Sequence, residues 1–156
     1  MLEKEEIKGY ILADKFSWKP NIHFALFFTL KRLIVAKVGA LFKDFVASAE
    51  YAKKAEELKE VSIESILKAD KDNFEIPYTD ITDIEIKKAG WKDKLVADFV
   101  TIGTLTIKIK DKKGQKFNIT KLRIDPSAPS KVKPQKLEDC INVVRSVLSD
   151  KLSVKS

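Results

Sequence analysis

The sequence predicts an α+β fold that is mainly antiparallel β: a partly open barrel of about seven strands, capped by one amphipathic C-terminal helix. Three observations predict it. Residues 24–38 are apolar almost throughout and fold over Lys31-Arg32, which reads as two adjacent strands buried on both faces. Residues 103–110 alternate, with Leu105, Ile107 and Ile109 set against Thr104, Thr106 and Lys108, before a turn at 111–115. Leu137, Cys140, Ile141, Val144, Leu148 and Leu152 fall on one stripe at helical spacing. No alternation of strands and helices calls for a parallel sheet.

The first strand is expected over 8–18, alternating around Tyr10, Leu12 and Phe16, with Lys8, Asp14 and Lys15 at polar positions. Lys19-Pro20-Asn21 supplies turn chemistry, because proline presets φ and asparagine tolerates the left-handed region. Strands follow over 22–29 and 32–38 around a tight turn at Leu30-Lys31, and Gly39 ends the run. From 41 to 61 the period changes: Leu41, Phe45, Ala49, Ala52, Ala55 and Leu58 recur every three or four positions, as on an amphipathic helix. Ser62 opens a second, short helix with Ile63, Ile66 and Leu67 as its apolar face, and 70–73 is a loop. The segment 41–73 therefore reads as a helical block inserted between strands.

Residues 74–78 return to extended structure, with Pro77 restricting them to an edge. Ile81, Ile84 and Ile86 carry a strand over 81–88, and 89–100, with Trp91, Lys92 and Lys94, is a longer connection. The strand returning over 116–122 turns Phe117, Ile119 and Leu122 inward. A proline-bearing linker, 125–134, leads to Pro134 at the first turn of a helix over 134–152. That helix is expected to bury Leu137, Ile141, Val144 and Leu148 against Leu12, Phe27, Ile34 and Ile107.

A chain of 156 residues makes one domain, 1–156, large enough for a core without staples. With 44% hydrophobic and 34% charged residues it reads as a soluble globular protein. The single cysteine, Cys140, excludes an intramolecular disulfide and suits a reducing compartment. The acidic N-terminus lacks the apolar core of a signal peptide, so a cytoplasmic location is expected, with peripheral membrane contact open. The net charge of +7 is uneven: residues 108–156 carry +8 and residues 41–75 carry −3. A basic third of the chain suits nucleic acid, anionic lipid or an acidic protein, and equally a Lys-rich surface that keeps the protein in solution.

Two short motifs and the element order together resemble the prokaryotic branch of pleckstrin-homology-like domains, related in shape to GRAM domains. The motifs are Thr29-Leu-Lys-Arg32-Leu33-Ile34 and Ile76-Pro77-Tyr78-Thr-Asp-Ile81, followed by a Leu105-Thr-Ile107 hairpin and the closing helix. The resemblance covers residues 8–38 and 74–152, and the block 41–73 stands where the family has a modest loop. It implies a ligand edge built from the loops after strands one, three and six, here 19–21, the 39–73 block and 111–115.

Catalysis finds little support. One histidine, His23, starts a buried strand, Cys140 lies on an apolar stripe, and one His with one Cys cannot complete a zinc site. No glycine loop is present to cradle phosphate. No cofactor and no metal are expected, and His23 and Cys140 read as structural. Anionic-membrane contact would use Lys15, Phe16, Trp18 and Lys19, where ammonium groups meet phosphate and rings settle at the headgroup boundary. The alternative is that Phe16 and Trp18 are core. Nucleic acid, the runner-up, would use Lys108, Lys110, Lys112, Lys113 and Lys116, with Lys121, Arg123, Lys131 and Lys133. It lacks stacking aromatics, since Phe117 turns inward. A second copy of the chain could meet the small-residue stripe Ala47, Ala49, Ala52 and Ala55 beside Phe42 and Val46 on helix 41–61. The expected function is thus a noncatalytic binding module for a protein partner or an anionic membrane. Its candidate residues are Lys15, Trp18, Lys19, Lys110, Lys112, Lys113 and Lys116. The acidic block is expected to screen the hairpin tip 110–116, to form the contact surface, or to belong to the core.

Overall fold

Local chemistry sets the first strands. β1 (Gly9–Lys15), β2 (Asn21–Phe28) and β3 (Arg32–Leu41) form an antiparallel meander. Thr29 builds the β2–β3 turn: its hydroxyl accepts from the N–H groups of Lys31 (3.1 Å) and Arg32 (3.0 Å) and donates to the Arg32 carbonyl (2.9 Å). One side chain thereby satisfies the backbone groups of a tight turn that has no glycine. Residues 5–15, 21–41, 49–89, 101–120 and 135–155 are described by the computed structural model. The expected features at Phe16–Trp18, Lys19, Pro20, 42–48, 90–100 and 121–134, including Trp91, Leu122 and the proline linker, lie outside them.

β4 (Phe74–Pro77) extends the first meander, and a 3-10 turn at Tyr78–Asp80 leads into β5 (Ile81–Lys88), β6 (Thr101–Ile109) and β7 (Gln115–Thr120). The strands form one sheet in the order β4-β3-β2-β1-β7-β6-β5-β8. About seven strands in a partly open barrel were expected; the described residues form eight, in an open sheet with β4 and β8 at its ends. The concave face still wraps one core, to which β1 through β7 all contribute buried side chains, among them Ile11, Leu26, Leu33, Ile76, Ile84, Leu105 and Phe117. Tyr78 holds the corner between β4 and β5. Its hydroxyl donates to the Thr29 carbonyl (2.6 Å), its N–H to the Lys31 carbonyl (3.0 Å), and its own carbonyl accepts from Lys151 Nζ (2.8 Å).

The two meanders meet at a narrow seam. Among the described residues β1 pairs with β7 at Ala13↔Ile119 and Asp14↔Asn118. One step further, the Gln135 carboxamide acts as a short strand: its oxygen accepts from the Leu12 N–H and its nitrogen donates to the Leu12 carbonyl, both at 2.8 Å. Gln135→Ala removes both bonds at a buried residue. It should cost about 1–3 kcal/mol, read as a lower midpoint in a denaturant melt with an unchanged slope.

α3 (Leu137–Leu148) caps the concave core with Cys140, Val144 and Leu148. Its approach requires glycine, since a Cβ on Gly9 would lie 2.9 Å from Val143 Cγ2. The helix was expected to run to 152, but it ends at Leu148, and Leu152 belongs to β8 (Leu152–Lys155). β8 runs parallel to β5, with Ile84 opposite Leu152 and Ile86 opposite Val154, so the sheet is not wholly antiparallel. The free edge of β5 offers ladder hydrogen bonds that the last turn of a helix would lack, which is why the helical spacing of Leu152 misleads.

A second layer covers the convex face of β1–β3. Leu12, Phe27 and Ile34 do not meet α3 as expected. With Ala25, Ala36 and Val38 they pack against Ala52 and Ala55 of α1 (Ala49–Lys59) and Ile63 and Ile66 of α2 (Ile63–Ala69). Both faces of these strands are apolar, so alternation alone could not assign them. The expected helix 41–61 differs at both of its described ends: β3 runs through Gly39 to Leu41, and α1 ends at Lys59. Pairing with β2 as far as Asn21↔Leu41 carries the strand through that glycine. Tyr10 donates to Glu56 (2.7 Å), and Asn73 accepts from the Lys37 N–H and donates to the Ile66 carbonyl, each at 2.7 Å. The acids of the block pair with β3, Glu64 with Arg32 (3.7 Å), and Asp70 and Asp72 with Lys37 (3.9 and 3.4 Å). Among the described residues none of them pairs with the 110–116 hairpin, so α1 and α2 are a layer of the core and not a screen over that tip. No helix among the described residues is long and apolar enough to cross a membrane.

Candidate functional site at the lysine-bearing end of the sheet

β1 carries Ile11 and Ala13 into the concave core, and alternation places Lys15 on the same face at the strand's last residue. The cross-strand register puts Gly9, beneath α3, at one end of β1 and Lys15 at the other, so Lys15 lies at the end away from the capping helix. Its ammonium donates to the Gln115 carboxamide oxygen and stands 5.1 Å from the Phe117 ring centroid and 5.7 Å from that of Phe74. Phe117 is itself held edge-on by Phe24, with centroids 6.0 Å apart and planes at 81°. A half-buried cation over two ring faces gains electrostatically from the ring quadrupoles. Burial, and then the positive charge of Lys113, push the Lys15 pKa below the ordinary lysine value.

Gln115 begins β7, directly after the β6–β7 turn. There Asp111 occupies the left-handed region at φ 58°, which its short polar side chain tolerates. Gly114 lets the backbone close, since a Cβ there would lie 2.6 Å from the Ile107 carbonyl oxygen. Lys108, Lys110, Lys112, Lys113 and Lys116 are exposed, and among the described residues none forms a salt bridge. Lys110 is fixed by its N–H bond to the Asp80 carbonyl (2.8 Å). The result is a hairpin whose exposed charged side chains are five lysines and Asp111.

Of the residues singled out in the sequence, Lys15, Lys110, Lys112, Lys113 and Lys116 share this end of the fold. Trp18 and Lys19 lie outside the described residues. Phe117 turns inward as expected, yet it also underlies Lys15. Sequence reasoning missed Gln115 and Phe74. The hairpin position of Gln115 was visible, but Phe74 reaches Lys15 only because the sheet curls and brings β4 opposite β1 and β7.

The remaining reactive groups are interior. His23 and Asp14 are cross-strand neighbours and both are buried, so Asp14 is not the exposed polar position its alternation suggested. The strands around it are covered on both faces, and alternation cannot register that. Burial pushes the Cys140 thiol up to about 12. At pH 8 it should therefore react with a disulfide reagent only after denaturation, which a stopped-flow thiol titration with and without guanidinium checks. Among the described residues no three His, Cys, Asp or Glu side chains are grouped to hold a metal ion.

No family model matches the chain, and neither a curated protein nor a solved structure matches it.

Proposed function

We propose that this protein is a noncatalytic binding module, of pleckstrin-homology-like architecture, that associates with anionic membrane surfaces through Lys15 and the β6–β7 hairpin. The observation that carries the reading is the set of five exposed hairpin lysines without carboxylate partners among the described residues, beside a sixth lysine seated on Phe74 and Phe117. Each lysine near an anionic bilayer contributes about 1 kcal/mol, and the contributions fall off within a Debye length. A meander of four strands, a meander of three and a capping helix support the architecture; the helical layer and β8 are its departures.

The aromatic groups disfavour nucleic acid. Phe117 is buried and Phe74 is half-buried beneath a lysine, so neither offers a base a stacking face. The test is co-sedimentation with phosphatidylcholine vesicles and with vesicles containing phosphatidylserine, at low and high salt. Binding confined to the anionic vesicles and weakened by salt is expected. Equal sedimentation with both vesicles, or with neither, overturns the reading.

A further inference from the structure

We infer that the outer edge of β8 docks an extended segment of a partner protein, taken up as a further strand whose side chains alternate between acidic and apolar. Of the two ends of the sheet, β4 is closed to such pairing, because Pro77 has no N–H to donate and Arg32 holds Glu75 in an ion pair. β8 contains no proline. The Ile84 N–H donates to the Lys151 carbonyl (3.0 Å), and the parallel register from Ile84↔Leu152 to Lys87↔Lys155 carries that ladder on through Ser153 and Lys155. The N–H and C=O groups of Leu152 and Val154 therefore point away from β5, and among the described residues no strand lies beyond them. Backbone donors and acceptors in that alternating row match the geometry of one more strand.

The side chains specify its chemistry. Ile84 and Ile86 belong to the concave core, so their register partners Leu152 and Val154 lie on the same face of the sheet. Leu152 packs against that core, but Val154 is 46% exposed, and an apolar residue on the incoming strand would cover it. On the opposite face Lys155 stands in register with Lys87, and the two cations share the carboxylate of Glu85, 3.6 Å from Lys155. An acidic residue opposite Lys155 offsets that excess of positive charge. A second copy of the chain fits less well. The antiparallel register that sets Leu152 of each copy opposite Val154 of the other also sets Lys151 opposite Lys155, and like charges directly opposite are destabilising. The lysines thus discourage self-pairing and favour an acidic strand.

This inference goes beyond membrane association and its test contains no lipid, so the two readings fail separately. The full chain, isotope-labelled, is titrated with a terminally blocked Glu-Val-Glu-Val-Glu peptide and followed by heteronuclear NMR. Amide shifts are expected across residues 152–155, with slowed hydrogen exchange at the Leu152 and Val154 N–H groups. The same peptide N-methylated at both valines keeps every charge and loses the N–H groups that face β8, so it should not bind. A Lys-Val-Lys-Val-Lys peptide should bind more weakly than the acidic one, and Lys155→Gln should weaken the acidic one by up to about fivefold. Val154→Pro removes an outward N–H and spares the β5 ladder; with its fold checked by circular dichroism, it should abolish binding. Shifts that are absent or lie elsewhere, or equal binding of the N-methylated or the lysine peptide, overturn the inference. So does a dimer in sedimentation equilibrium that Val154→Pro dissociates, since it gives the edge to a second copy.

Discussion

Replacement of residues 49–69 by a short Gly-Ser connector is expected to abolish cooperative folding. The exchange uncovers Leu12, Phe27, Ile34 and Val38, which α1 and α2 bury on the convex face of β1–β3. Returning four such side chains to water costs about 1.5–3 kcal/mol each, or about 6–12 kcal/mol together. A domain of this size is stable by about 5–15 kcal/mol in total, so the loss is comparable with the whole. The exchange also deletes the acceptor of Tyr10 and the Ile66 carbonyl that holds Asn73. Thermal melts followed by circular dichroism should lose their sigmoidal transition. A retained native melt would show that the helices are an appendage and not a layer of the core.

The second large effect concerns binding. Exchange of Lys110, Lys112, Lys113 and Lys116 for glutamine should leave the melt unchanged, because these side chains are exposed and form no salt bridge among the described residues. Affinity for phosphatidylserine vesicles should fall by about 4 kcal/mol, roughly a thousandfold, at about 1 kcal/mol for each lysine near the surface. Salt should erase most of the difference between the two proteins, since the Debye length shrinks to about 3 Å at 1 M. Unchanged sedimentation of the glutamine variant would remove the hairpin from the membrane contact and leave the exposed lysines as a solubilising surface.

Local pattern accounts for much of this architecture. The apolar run broken at Leu30-Lys31 determined a tight turn between two doubly buried strands, and Thr29 supplies the hydrogen bonds that close it. The stripe through Cys140, Val144 and Leu148 determined the capping helix, and the alternation around Leu105 and Ile107 determined the hairpin that bears the lysines. These features depend on periods of two or 3.6 residues and on turn chemistry, which a short window of sequence contains.

The tertiary structure alone decided the rest. Ile11 and Leu26 face α3 while Leu12 and Phe27 face α1 and α2, and the apolar character of both faces left that choice to the packing. Leu152 suits a helical stripe as well as a strand, and the open edge of β5 settled it as β8. Asp14 is buried in strands that are covered on both faces, and Lys15 meets Phe74 because the sheet curls. Each of these outcomes depends on a partner distant along the chain. A side chain's own neighbours in sequence carry its period, but the free energy that chooses its partner resides in surfaces that come together only when the chain folds.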